Sequence, residues 1–239
     1  MSFLGMNSRA DQPAVAAQAD PAVERVFIRA TFGWMFIGLA LTTFIAVWFG
    51  SNDALMERLQ TQPGWIIGGV VLQLGVVLFL SFAINRISAA TATFLFVLYA
   101  ALTGAVFSLI LSYYSTGSIA MAFAGATGVF AGMALYGYAT KRDLTGFGPV
   151  LFGALIGFLI ASVVFAFTGG ETFNLILGFL GVIIFAALTA YDMQMIRRWA
   201  GQATDESGAR KMAIFGALQL YLNFINIFLS LLRIFGSSR

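Results

Sequence analysis

The side chains able to do chemistry are few, and two groups of them lie where apolar residues dominate. Asp192 follows the uncharged run 172–191, and Gln219, Asn223, Asn226, Ser230 and Arg233 are spaced 4, 3, 4 and 3 residues apart within the run 212–232 and its end. At ~100° per residue these five fall within an arc of roughly 80° on one helix face. A charged group at mid-membrane costs ~2.5–3.5 kcal/mol on the insertion scale, so each needs a partner or a water-filled cavity. The chemistry open to such a set is non-covalent: proton exchange at a carboxylate, passage of a cation past carboxylate and amide oxygens, or hydrogen bonding between helices.

Each feature carries two readings. The stripe is either interhelical glue, worth ~0.6 kcal/mol per contact, or the wall of a polar path. Asp192 is either solvated at the interface, since Arg197 lies five residues on and ~8 Å along a helix, or a paired, functional carboxylate. Arg86 is either an interfacial charge that sets orientation or the partner of Asp192. Gln73, deep in an earlier run, either faces the stripe or bonds to a neighbouring backbone or hydroxyl group.

The elements that must position these residues follow from composition. The 239 residues are 60% hydrophobic and 10% charged, with 25 Phe and a mean hydropathy of +0.91, too apolar for a soluble domain. There is no Cys and no His, which removes disulfides, Cys/His metal sites, thiol chemistry and imidazole catalysis. No cofactor is expected, and an enzyme is disfavoured. The pI near 9.4 and net charge of +3 do not indicate a nucleic-acid partner, because the basic residues sit between apolar runs, where membrane orientation explains them.

Charge-free stretches, measured against the ~20 residues needed to span a bilayer, predict seven transmembrane helices. They fall at 30–52, 64–85, 88–111, 118–140, about 148–170, 172–191 and 212–232. The polar cluster 112–118 divides an uncharged stretch that is too long for one helix. Six spans with a re-entrant last helix are the alternative, since Gln219, Asn223 and Asn226 reduce the apolar character of the seventh. Two parts result: a polar tail, 1–29, and a membrane domain, 30–239. The pairs Gly64/Gly68, Gly128/Gly132 and Gly153/Gly157 show the spacing that lets helices approach closely, a weak signal in a chain with 26 Gly.

Arg25, Arg29, Arg86, Lys141, Arg142, Arg197, Arg198, Arg210 and Lys211 lie on the side of the N-terminus, against Arg58, Arg233 and Arg239 on the other. This asymmetry predicts a cytoplasmic N-terminus, with loops 86–88, 141–147 and 197–211 on the same side. The absence of a targeting segment suits a bacterial inner membrane.

The segment 190–196, Ala-Tyr-Asp-Met-Gln-Met-Ile, and the helix 216–236, containing Leu-Tyr-Leu-Asn-Phe-Ile-Asn-Ile-Phe, resemble the C-terminal signature of the Bax inhibitor family, also called the transmembrane Bax inhibitor motif family. The resemblance covers about 30–239. It implies six helices surrounding a central seventh, and a pH-sensitive calcium leak. It further implies a gate in which two aspartates share a proton beside an arginine of the second span. Asp192 matches the first aspartate and Arg86 the arginine; Asn223 stands in place of the second aspartate. A carboxylate pair brings one titration towards physiological pH through like-charge repulsion, and Asn223 cannot ionise, so the acid switch is expected to be shifted or absent.

The expected function is therefore a non-enzymatic, slow leak for calcium or another cation, with the lipid bilayer as the surrounding partner. Asp192, Asn223 and Arg86 form the expected sensor, and Gln219, Asn226, Ser230 and Arg233 the path on the last helix. Any metal ligand is left open. The alternative is a regulatory partner of other membrane proteins, such as a membrane-bound protease, with the tail 1–29 and loop 197–211 as contact surfaces.

Overall fold

The computed structural model describes residues 21–84, 86–201 and 206–236. Most of the polar tail (1–20), loop positions 202–205 and Arg239 lie outside the described residues. Within them are eight α-helices: α1 (Pro21–Gly50), α2 (Asp53–Thr61), α3 (Pro63–Ala83), α4 (Ala89–Ser112), α5 (Thr116–Ala139), α6 (Gly148–Thr168), α7 (Glu171–Ala200) and α8 (Glu206–Phe235). All but α2 are long and apolar enough to cross a membrane, so the chain is an all-α protein of seven spans. The last span is a full 30-residue helix and not a re-entrant one.

Several helices overrun their uncharged segments, because charged residues are tolerated where a helix leaves the hydrocarbon. α1 begins at Pro21, a residue suited to a first helical turn, with Glu24 beside it complementing the helix dipole. α7 continues through Arg197 and Arg198, which sit favourably in its last turn. The expected loop 197–211 is therefore helical at both ends. The short α2 is a polar helix that hydropathy did not reveal. Asn52 caps it, its side-chain oxygen accepting the Leu55 N–H at 3.1 Å.

The last helix occupies the centre. Of its apolar window 67% is buried, against 0% for the matching window that includes α6. α1, α4, α5 and α7 pack directly on α8, whereas α3 rests on α4 and α6 rests on α7. Two opposite faces of α8 explain its position. Tyr221, Phe224 and Phe228 form an aromatic face that meets Phe96 and Tyr99 of α4 and Phe123 and Phe130 of α5, edge to face with centroids 5.6–6.4 Å apart; Phe107 of α4 adds a tilted contact with Phe228. The polar stripe points the other way, towards α7 and the space between α3 and α6.

The close approaches do not occur at the glycine pairs singled out by their spacing. A methyl group placed on any of Gly64, Gly68, Gly128, Gly132, Gly153 or Gly157 would meet nothing within 4 Å. These glycines sit on helix faces with no close neighbour. The glycines that permit packing are instead Gly104 against Thr42 and Ile45, Gly137 against the backbone of Ala190, Gly181 against Ser230 and Gly216 against Ile196. Gly137→Ala should therefore force α5 from α7, at a cost of ~1–3 kcal/mol. Its thermal midpoint in detergent should fall by several degrees, whereas Gly132→Ala should leave the midpoint unchanged or raised.

Candidate functional site

α7 and α8 run antiparallel, and their packing brings Asp192 and Asn223 into direct contact. The Asn223 side-chain amide donates to the Asp192 carboxylate at 2.7 Å, and both side chains are buried. By position alone the two sit at different depths, because Asn223 lies far inside the run 212–232 and Asp192 follows the end of the run 172–191. Helix length resolves the mismatch: α8 starts at Glu206 and remains regular throughout, so its first turns overrun the end of α7. Gly216 against Ile196 and Gly181 against Ser230 fix the register on either side of the contact.

Arg86 does not join the pair. It is exposed at the end of the second span and forms no ion pair among the described residues. Its interfacial position leaves the side chain facing outward, while Asp192 is turned inward to Asn223. Asn223 is the one hydrogen-bonding partner of Asp192 among the described residues, so a neutral amide satisfies this carboxyl group where an arginine was expected.

The pair lines a cavity of about 520 Å³ between α3 and α6, floored by α7 and α8. It extends from Ser81 and Gly148, near the basic ends of their helices, to Val70, Leu159 and Asn226 deeper in the bundle. Its polar groups are those of Gln73, Asp192, Gln219, Asn223 and Asn226, with Tyr99, Tyr191 and Ser81 also on its wall. Asp192 is the sole carboxyl group in this lining. Gln73 satisfies both of its readings, since it faces the cavity and donates to the Thr103 hydroxyl at 2.9 Å.

The expected stripe thus divides in two. Gln219, Asn223 and Asn226 reach the cavity; the Gln219 side-chain oxygen is buried without a partner, and Asn226 donates to the Leu222 carbonyl at 2.8 Å. Ser230 is packed against Gly181, and Arg233 lies over the Phe165 ring at 5.9 Å with one terminal nitrogen buried and unpartnered. Ile227, Phe228, Leu231 and Leu232, on the other faces of this part of α8, are buried.

Four residues to which the sequence reading gave no role hold this arrangement. Tyr221 donates to the Thr42 hydroxyl at 2.6 Å, and Thr42 in turn donates to the Ala100 carbonyl at 2.9 Å, tying α8 to α1 and α4. Gln194 accepts from the Leu144 N–H and donates to the Arg142 carbonyl, both at 2.8 Å, which pins the α5–α6 loop to α7. In that loop Asp143 accepts from both the hydroxyl and the backbone N–H of Thr145 and from Arg198, and these bonds hold its carboxyl group down at about 2. The stabilisation it gives is complete above the ordinary carboxylate range and is lost only as pH falls towards 2. This clamp therefore stays ionised between pH 5 and 8. Tyr191, Asp192 and Gln194 of the Tyr-Asp-x-Gln element accordingly serve three separate contacts, with Gly148, Asn223 and the loop.

Comparison with known proteins agrees with the architecture. The family described as Inhibitor of apoptosis-promoting Bax1 matches residues 24–239. Inner membrane protein YbhL of Escherichia coli strain K12 is 46% identical over 218 residues, which cover 90% of this chain and 93% of YbhL. An uncharacterized protein of Deinococcus radiodurans is 41% identical over 215 residues, with 90% of this chain and 91% of that one covered. An uncharacterized protein of Borreliella burgdorferi is 39% identical over 218 residues, with 91% and 94% covered. With its seven spans, buried central helix and matched length, the chain belongs to the Bax inhibitor family of membrane proteins.

Proposed function

We propose that this protein gives a slow, non-enzymatic leak of cations, calcium among them, across a bacterial inner membrane, with its basic end in the cytoplasm. The observation that carries the reading is the polar cavity between α3 and α6, in which a single carboxyl group, Asp192, stands among the amides of Gln73, Gln219, Asn223 and Asn226. Calcium takes 6–8 oxygen ligands in tight sites. One carboxylate with amide oxygens and water instead makes a weak, transient station, as passage requires. The wall of the cavity on α8 ends at Asn226, and beyond it Ser230 is packed against Gly181, which we read as the closed form. Opening requires α8 or its neighbours to shift so that Ser230 and Arg233 extend the polar wall.

Asn223 sets the response to acid. An amide at hydrogen-bond distance from Asp192 imitates a protonated carboxyl partner at every pH, so the closed contact does not need a proton to form. In calcium-loaded liposomes containing only this protein, flux should be measurable, fall severalfold in Asp192→Asn and change little between pH 5 and 8 in the wild type. Asn223→Asp should introduce a steep response over that range, because two carboxyl groups in contact must share a proton. Absence of flux from pure protein would refute the leak.

Coupling measurements separate the contacts. Asn223→Ala strands a buried acceptor and should cost ~1–3 kcal/mol of stability. Combined with Asp192→Asn it should cost clearly less than the sum of the two. Arg86→Ala and Asp192→Asn should be additive within ~0.5 kcal/mol, as for groups without a shared contact.

Orientation has its own test. The chain has no Cys, so a Cys replacing Ser207 should react with an impermeant thiol reagent only after cells are permeabilised. Labelling in intact cells would reverse the orientation.

A further inference from the structure

A second cavity, of about 610 Å³, lies between α1 and α5, and its chemistry is unlike that of the first. Its walls include Ile28, Phe32 and Leu39 of α1 and Phe123, Phe130 and Tyr138 of α5. Thr127 offers the one aliphatic hydroxyl in the lining, and this group is already committed to the Phe123 carbonyl at 2.9 Å. From Ile28 to Leu39 the α1 wall covers twelve residues, or ~16 Å of helix. That is about half of the ~30 Å hydrocarbon core, the depth of one leaflet.

The groove has a charged mouth at the basic end of the bundle. Tyr138, its last wall residue on α5, carries the Arg197 guanidinium over its ring at 5.0 Å and accepts Arg197 Nη1 on its backbone carbonyl at 2.9 Å. Glu24 accepts from Arg197 Nε at 2.7 Å and so fixes the plane of the guanidinium. Arg197 Nη2 makes no hydrogen bond to the described residues, and 45% of the side chain is exposed. On α1, Arg25 precedes Ile28 by three residues and Phe32 by seven, which puts it on the helix face that lines the groove; Arg29 lies at the edge of that face. Among the described residues, Arg197 and Arg29 against the carboxylate of Glu24 leave the mouth positive.

We infer that this groove is a lipid site, holding one acyl chain of an anionic phospholipid whose headgroup phosphate is bound by Arg197 Nη2 at this positive mouth. The apolar wall accounts for the chain, its length for a leaflet-deep insertion, and the positive mouth for the headgroup. Basic pockets between membrane helices bind anionic headgroups in this way, and a guanidinium on an aromatic ring is a preorganised phosphate donor.

The site is tested with the full chain in micelles supplied with equal amounts of phosphatidylglycerol and phosphatidylcholine of the same chain length, and native mass spectrometry of the retained adducts. The wild type should keep one phosphatidylglycerol, in about tenfold preference to phosphatidylcholine. Arg197→Gln should bring that preference close to unity, and Arg29→Gln should reduce it severalfold. The second variant keeps the test valid if loss of the Glu24 contact unfolds the first. Ala131 is exposed on the α5 wall, so Ala131→Trp fills the groove without displacing buried neighbours. It should abolish the retained lipid while the melting temperature stays within a few degrees of wild type. Equal retention of the two lipids by the wild type, or a phosphatidylglycerol adduct that survives Ala131→Trp, would overturn the proposal. So would a detergent molecule held in place of lipid with no dependence on headgroup.

Discussion

The fold depends on a constraint set by α8: one of its faces cannot meet lipid. Gln219, Asn223, Asn226, Ser230 and Arg233 share that face, and each would pay for contact with hydrocarbon. The opposite face, Tyr221, Phe224 and Phe228, has large rings that gain most from close-packed neighbours. A helix with both faces is best placed inside the bundle. α4 and α5 take the aromatic side, and α7 supplies Asp192 to the polar side. α3 and α6 then have little of α8 left to touch, which is why they stand at the edge with a cavity between them.

The Asp192–Asn223 contact joins α7 to α8 on the wall of the polar cavity. A carboxylate this buried requires donors, and one well-placed amide at 2.7 Å supplies the bond that holds α7 to α8 halfway along the polar face. Where two aspartates would need a shared proton to make the same contact, aspartate and asparagine need none. Arg86 contributes nothing to this bond, because its place at the helix end points it outward.

Periodicity made much of this legible. Seven uncharged stretches located the spans, the 4-3-4-3 spacing located the inward face of α8, and the lone carboxylate near a span end located half of the central contact. What escaped was set by neighbours rather than by the local chain. Tyr221 reads as one more aromatic residue until Thr42 is found 2.6 Å from its hydroxyl. Gln194 reads as an interfacial polar residue until the α5–α6 loop folds onto it. The glycine pairs show the reverse failure, since their spacing satisfies a packing rule that no opposing helix uses. Arg86 was placed at the correct end of its span, but its depth did not determine which way it faces.

The two cavities share walls, and this ties their contents together. Asp192 lines the polar cavity and Met193, the next residue, lines the apolar groove; on α8, Asn223 and Phe224 divide in the same way. Successive residues on a helix point ~100° apart, so α7 and α8 each present one side chain to one space and the next to the other. A rotation of α8 that withdraws Asn223 from Asp192 also moves Phe224 relative to Phe123 and Phe130, on which its ring is packed. The polar contact is thereby backed, on the other side of the same helix, by the packing of Phe224 on Phe123 and Phe130.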